Sequence, residues 1–167
     1  MNYGFATMYI GGTLSPALLN LITEGALQDP GSNPCEGWSV EEVDGRPLLV
    51  GVHCGGLGGI SFESKLEEAG VAFDHYEEAD PTLGIEEMMT AFRPGLDPLY
   101  CQCDVNGVPV TPARDVRGIL DNPDLDSDSK IRELRGLDGV EMERFLEQHP
   151  LQSLEIVEDE APVPVSP

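Results

Sequence analysis

The sequence predicts an α+β protein in which one mixed β-sheet is covered by helices. Strand-like and helix-like runs alternate in the order β-α-β-α-β through the first half of the chain. A hairpin pattern and further helical stretches follow, and Gly, Pro or a helix-capping residue marks most of the switches. The chain has 167 residues, of which 40% are apolar, enough for one core. We therefore expect one domain over residues 1–157 and an acidic, Pro-rich, disordered tail over residues 158–167.

The predicted strands are short runs, rich in β-branched and aromatic residues, that end at turn residues. Five such runs occur: Asn2–Ile10, Trp38–Val43, Leu48–Cys54, Val71–Tyr76 and Met88–Arg93. The run LLVGVHC, residues 48–54, is almost entirely apolar, so we place it at the centre of the sheet. Residues Leu99–Val110 surround Asn106-Gly107, a pair typical of a type I′ turn, and predict a β-hairpin.

The predicted helices are marked by capping residues and terminal glycines. Ser15 and Thr111 are each followed by proline, which is the N-cap and N1 signature of a helix start. Five helices are expected: between Ser15 and Gly25, between Ser61 and Gly70, from Thr111 to Leu120, near Ser129–Leu134 and near Val140–Gln148. The apolar residues of strands and helices give the expected core: Leu18, Leu21, Leu49, Val50, Val52, Leu66, Phe73, Ile119 and Leu120.

Composition excludes several classes of function. The chain has 31 acidic and nine basic residues, a formal net charge of −22. Direct binding to a phosphate backbone depends on Lys and Arg, so we expect no nucleic-acid ligand. No apolar run is long enough to span a membrane, and the N-terminus lacks the basic start of a secretory signal. We therefore expect a cytoplasmic protein.

No group of residues predicts catalysis or metal binding. Of the four cysteines, only Cys101 and Cys103 are close together, and they lack the second pair of a zinc site. We expect buried thiols, no catalytic residue, no metal and no cofactor. One alternative remains, a small enzyme in which His53 and Cys54 converge with this pair. The fourth cysteine, Cys35, lies outside this group.

Two further patterns resemble ligand sites without completing them. The glycine cluster at residues 55–59 precedes a helix, but it lacks the lysine of a phosphate loop and is expected to be a turn. The alternating residues Asp124, Asp126 and Asp128 lack the glycine and glutamate of a calcium loop. Helix capping by Asp126 or Asp128 is the expectation there. His75 alternates with Phe73, so it is either buried in the sheet or exposed.

The charge is unevenly distributed along the chain. Residues Glu36–Glu87 contain thirteen acids and two bases, a balance of −11. Residues from Asp115 to the end contain fourteen acids and five bases, a balance of −9. An acidic surface without any partner is one explanation. However, a net charge of magnitude ~2–8 is sufficient to keep a small domain soluble.

Mimicry of nucleic acid is the alternative explanation. Acids four residues apart on a helix are ~6 Å apart, and acids two residues apart on a strand are ~6.7 Å apart. Both spacings are close to two phosphate steps of ~3.4 Å on one DNA strand. The sequence therefore predicts a partner-binding surface on the following acids: Glu63, Glu67, Glu68, Glu77, Glu78, Asp80, Glu86, Glu87, Asp124, Asp126 and Asp128.

The chain resembles, as a class, the anti-CRISPR and antirestriction proteins by which phages and plasmids block bacterial defence through DNA mimicry. The likeness lies in small size, acidic excess, compact α+β pattern and lack of a catalytic motif. The segment that begins with Leu66–Asp74 and ends with Phe92–Gly95 also resembles short sequence segments of small prophage and plasmid proteins. The resemblance implies an inhibitor that occupies a basic nucleic-acid-binding surface of a defence effector. An immunity protein or antitoxin that neutralises a basic toxin remains the other partner class, and oligomeric state is left open.

Overall fold

A computed structural model describes residues 5–24, 36–54, 59–79 and 87–158 of the chain. Its thirteen elements in these ranges are β1 Phe5–Gly11, β2 Thr13–Leu14, α1 Pro16–Thr23, β3 Glu36–Val43, β4 Arg46–Cys54, α2 Gly59–Glu68, β5 Ala72–Glu77, β6 Met88–Phe92, β7 Leu99–Gln102, α3 Ala113–Leu120, α4 Ser127–Arg135, α5 Asp138–Gln148 and β8 Glu155–Ile156. The predicted tail from residue 159 onward and residues 55–58 of the glycine cluster lie outside the described residues. No helix in the described ranges has the length and apolar character needed to cross a membrane.

The fold is α+β, as predicted, with one six-stranded sheet in the order β3-β4-β1-β5-β6-β7. Every pairing within this sheet is antiparallel, so the expected mixed sheet is wrong. The reason is the β3–β4 hairpin, which reverses the chain before it returns beside β1. The strand after α1 therefore does not form a parallel crossover unit with β1. Among the described strands, β2 and β8 pair in parallel and form a separate two-stranded sheet.

The two hairpin turns differ from each other, and the one predicted at Asn106-Gly107 is not of type I′. Asp44 and Gly45, between β3 and β4, both have positive φ (50° and 74°), as a type I′ turn requires. At the predicted type I′ site, Gly107 has φ 73° but Asn106 does not have positive φ. The Asp104 carboxylate instead accepts hydrogen bonds from the N–H groups of Asn106 and Val108, at 2.8 and 3.0 Å. The return arm of this hairpin is a single bridge between Cys103 and Pro109.

Both faces of the sheet are covered. Helices α1 and α2 pack on one face around the cluster Met8, Ile10, Leu14, Ile22, Leu49, Phe62, Leu66, Val71, Phe73 and Phe92. On the opposite face, α5 packs at the β7 edge around the cluster Met89, Ala91, Cys101, Cys103 and Met142. A smaller cluster of Leu48, Val50 and Leu151 lies on that face near β4.

The predicted core is confirmed in α2 and for most of its sheet residues, but not for Val52, Leu21 or α3. Leu49, Val50, Leu66 and Phe73 are buried, and Leu18 is partly buried against the α1–α2 cluster. Three predicted core residues are exposed instead: Leu21, Val52 and Leu120. Ile119 is partly buried. The reason for the α3 error is that this helix packs on α4 and not on the sheet.

The helix starts were predicted well where a side chain can cap the helix. Ser15 Oγ accepts a hydrogen bond from the Leu18 N–H at 3.2 Å, and Pro16 occupies the first turn, as expected. Asp126 caps α4 in the same way through the Ser129 N–H, at 2.7 Å. The expected Thr111 cap of α3 is wrong, because Pro112 stands at the N-cap and provides no side-chain hydrogen bond.

Candidate functional site

A cleft of about 480 Å³ opens on the α5 face of the sheet. Strands β1 and β5 provide its central wall through Thr7, Tyr9, Asp74 and Tyr76. Tyr9 lies directly opposite Asp74 in the β1–β5 ladder, and Thr7 lies opposite Tyr76. Because residues two apart on a strand share a face, these four side chains all point to the same side. The β3–β4 turn, the turn at residues 103–107 and the chain after α5 complete the walls.

Six carboxylates line this cleft. They are Asp44, Asp74, Glu77, Glu78, Glu87 and Asp104. Glu77 pairs with Met88 in the β5–β6 ladder, which sets Glu87 beside the end of β5. Three of the predicted partner-binding acids, Glu77, Glu78 and Glu87, therefore lie around one concave surface.

Two arginines also line the cleft, and both are hydrogen-bonded within the protein. Arg46 Nη1 donates to the Leu151 carbonyl at 2.9 Å. Arg93 is buried, and its Nε donates to the His149 carbonyl at 2.7 Å. Its Nη1 donates to the Asp74 carboxylate at 2.8 Å and to two backbone carbonyls, while Nη2 is buried with no hydrogen-bond partner among the described residues. Arg93 thus joins β5, β6 and the end of α5 and neutralises Asp74.

Two tyrosines give the cleft an aromatic wall. The rings of Tyr9 and Tyr76 meet edge to face, with centroids 5.7 Å apart and planes at 87°. Burial raises the pKa of both hydroxyls, and nearby acids raise it further: Glu41 for Tyr9 and Asp74 for Tyr76. Both hydroxyls therefore stay protonated at neutral pH and can donate hydrogen bonds. An aromatic face beside carboxylates is a favourable environment for a guanidinium or ammonium group.

The predicted acids of α2 lie on the other face of the sheet. Glu63 is buried, at 6% exposure, and its Oε1 lies 2.6 Å from Nδ1 of the buried His75. Glu63 therefore does not belong to a surface row, contrary to expectation. Glu67 is partly buried, and burial followed by the Glu63 charge raises its pKa. Glu68 is exposed.

The remaining predicted acids are dispersed. Asp124, Asp126 and Asp128 are exposed around the start of α4, where hydrogen bonds from Ser129 lower the pKa of Asp126. They do not line the cleft. Asp80 and Glu86 lie outside the described residues. Of the eleven predicted residues, the structure thus brings three together at the cleft.

Burial lowers the reactivity of Cys101 and Cys103. Both side chains are buried, and burial raises their pKa values to about 12 and about 11. The thiolate is the nucleophilic form of cysteine, and these pKa values leave very little of it at neutral pH. His53 and Cys54 end β4, and β1, β5 and β6 separate that strand from β7. Four inter-strand spacings amount to ~19 Å, so this sheet order does not support the alternative in which these four residues converge.

Metal binding has no support in the part of the chain that the structure describes. Residues 5–24, 36–54, 59–79 and 87–158 contain no group of three or more His, Cys, Asp or Glu side chains placed to hold an ion. The side chains of His53 and Cys54, and the whole of Cys35, lie outside the described set.

Sequence reasoning missed Tyr9, Asp74, Tyr76 and Asp104 as cleft residues. The available signal was the alternation of Thr7 with Tyr9 and of Asp74 with Tyr76, which puts polar and aromatic groups on one side of two strands. That β1 and β5 are neighbours, however, depends on sheet order, which this alternation does not report.

No protein-family model, curated protein or solved structure matches the chain.

Proposed function

We propose that this protein is an acidic inhibitor whose cleft binds a basic segment of a nucleic-acid-binding protein. The observation that carries this proposal is the composition of the cleft, in which six carboxylates and two tyrosine rings share one concave surface. The two arginines in the cleft donate to groups of the protein itself. The net charge of −22 gives the same preference for a basic partner over the whole surface.

The cleft would receive an arginine or lysine side chain of the partner. The tyrosine faces attract the cation, and the acids around the cleft accept its hydrogen bonds, Glu77 and Glu87 among them. An arginine that is held in this way cannot bind a phosphate, so the inhibitor and nucleic acid exclude each other. Single exposed ion pairs contribute only ~0–1 kcal/mol, so affinity must come from many contacts. Long-range attraction then makes association fast.

The partner that we favour is a bacterial defence effector in the cytoplasm, blocked by an anti-CRISPR or antirestriction inhibitor. The support is the class-level resemblance described above, together with the carboxylates gathered at the cleft. An immunity protein or antitoxin would use the same cleft on a basic toxin. Capture of partners from a bacterial lysate separates the two, since the first predicts a protein that binds DNA and the second a toxin.

The cleft can be tested with charge reversals and a defined probe. We expect Glu77→Lys, Glu78→Lys and Glu87→Lys together to slow association with an arginine-rich peptide by about tenfold, because charges at the edge of a site act mainly on association. Stopped-flow fluorescence measures this rate. The matched control reverses Asp97, Glu141 and Glu143, three exposed acids that do not line the cleft. Both variants change the net charge equally.

Two outcomes contradict the proposal. Equal slowing by the two triple variants would mean that overall charge, and not the cleft, attracts the peptide. A captured partner that binds DNA and this protein at the same time, without mutual loss of affinity, would exclude mimicry.

A further inference from the structure

Helices α3 and α4 pack on each other, but no residue of either helix is fully buried. Both are fully described, and neither contains a buried residue. Helix α3 packs against α4 and α4 against α5, while none of their residues belongs to the three core clusters. Helices of eight and nine residues depend on packing of an apolar face for their stability. We refer to residues 113–135 as the α3–α4 pair.

The α3–α4 pair exposes apolar side chains at one end. Leu120 closes α3 and is 49% exposed, and Ile131 of α4 is 50% exposed. The Lys130 ammonium donates to the Leu120 carbonyl, which holds the end of α3 beside the first turn of α4. Two half-exposed side chains do not identify an interface by themselves, because single exposed apolar residues are common, so the choice of partner depends on the charge of this region.

Net charge restricts where a second copy of the chain can approach. The α3–α4 pair contains six acids and five bases, a balance of −1. The rest of the chain contains 25 acids and four bases, a balance of −21. Two copies that meet elsewhere repel each other strongly, whereas the α3–α4 pair is close to neutral.

The charge within the α3–α4 pair is also self-complementary. Each of the two helices has a net charge of +1. They contain all the bases of the pair: Arg114, Arg117, Lys130, Arg132 and Arg135. The connection at residues 121–126 has three acids and no base. In a two-fold interface, residue i of one copy contacts residue j of the other and j contacts i, so segments on either side of the axis meet each other. An antiparallel arrangement therefore sets the acidic connection of one copy against the helical bases of the other.

We propose that the α3–α4 pair is a homodimer interface, in which two copies pack antiparallel about a two-fold axis and bury Leu120 and Ile131. This inference rests on residues that the cleft does not use. The dimer places two acidic cleft-bearing bodies on either side of a neutral centre. Other occupants of this face, such as a different protein, are outcomes that the experiments below would reveal.

Light scattering tests the oligomeric state. At about 100 µM, where an interface of ordinary affinity is saturated, we expect a mass of twice 18.0 kDa. Leu120→Asp with Ile131→Asp should return the mass to that of one chain. The matched control is Leu21→Asp on α1, an exposed leucine outside the α3–α4 pair, which should remain dimeric. Circular dichroism verifies that each variant keeps its helices.

A charge swap tests the antiparallel arrangement without touching the apolar residues. One variant carries Asp121→Lys and Asp124→Lys, and a second carries Arg117→Glu and Arg132→Glu. Each variant alone should be monomeric, because like charges then face each other at both ends of the interface. An equimolar mixture should form a heterodimer, because the swapped charges are again complementary.

Three results would overturn the proposal. A wild-type mass of one chain at that concentration excludes the dimer. A dimer that survives both aspartate substitutions has its interface elsewhere, and swapped variants that fail to pair on mixing exclude the antiparallel arrangement. If the aspartate variant loses its helices, the charge-swapped pair decides. Loss of peptide binding in the cleft variants leaves these masses unchanged, so the two proposals fail separately.

Discussion

A carboxylate and an imidazole share a short hydrogen bond beneath α2. Glu63 Oε1 lies 2.6 Å from His75 Nδ1, and the two residues are only 6% and 1% exposed. His75 stands opposite Met8 and Thr90 in the sheet, so the pair ties α2 to the middle of β5. Removal of one partner takes this hydrogen bond away from the other inside the protein, which costs more than the pair itself contributes.

The pair can be tested by a double-mutant cycle. We expect Glu63→Met or His75→Leu alone to lower the free energy of unfolding by about 3–5 kcal/mol. The double variant should be clearly more stable than the sum of the two losses predicts, because both single variants lose the same hydrogen bond. Urea denaturation gives the four values, with Glu68→Met, on the exposed side of α2, as the control. Strict additivity of the two losses would show that the hydrogen bond carries no coupling.

Sequence alone indicated which residue shares a side with His75, but neither its burial nor its partner. Alternation along the strand put His75 on the same side as Phe73 and left its burial open; both residues are buried. The four-residue spacing of Glu63 and Glu67 suggested an exposed row on α2, yet Glu63 faces the sheet beside Phe62 and Leu66. Its burial depends on a histidine twelve positions away in the chain, and helical periodicity does not report such a partner.

At the scale of the elements, glycines decide how closely a strand can be approached. A side chain at Gly51 of β4 would meet the Trp38 ring at 2.6 Å, so the indole of β3 lies flat over a strand position without a side chain. Gly118 of α3 has nothing within 4 Å. An added methyl group would therefore clash at Gly51 and find open space at Gly118.

This contrast gives a paired prediction. We expect Gly51→Ala to destabilise the protein by about 1–3 kcal/mol, because the Trp38 ring must shift out of its packing with Phe62. We expect Gly118→Ala to stabilise it by about 0.5–1 kcal/mol, because alanine loses less backbone entropy in a helix. Thermal melts of the two variants measure both effects. A stable Gly51→Ala protein with unchanged tryptophan fluorescence would contradict the close packing.

The elements themselves were largely predictable, and their directions were not. Periodicity and caps located α1, α2, β4, β5 and β6 because those signals are local. The sheet became antiparallel because Asp44-Gly45 closes a tight hairpin, which reverses the chain before it pairs with β1. The two-residue strands β2 and β8 pair across most of the chain, and nothing local marks them.

At the scale of the whole molecule, composition predicted the sign of the charge but not where it gathers. Glu77, Glu78 and Glu87 line one cleft because the β5–β6 ladder sets the end of one strand beside the start of the next. Asp44 and Asp104 come to the same cleft from turns far apart in the sequence. Convergence of this kind depends on sheet order, which the local sequence pattern does not report.

The net charge also makes a prediction about stability. A charge of −22 on 18.0 kDa opposes the compact state through self-repulsion, and salt screens that repulsion with a Debye length of ~8 Å at physiological ionic strength. We expect the midpoint of thermal unfolding to rise with sodium chloride, by about 2–4 °C for each kcal/mol of repulsion removed. Calorimetry measures it, with the Leu120→Asp, Ile131→Asp variant run beside the wild type because salt also changes association between copies. A variant with Glu42→Gln, Glu68→Gln and Asp97→Gln, three exposed acids, should start from a higher midpoint and gain less from salt. A midpoint that falls as salt is added would mean that attractive ion pairs outweigh self-repulsion, and the acidic surface would then contribute to the stability of the fold.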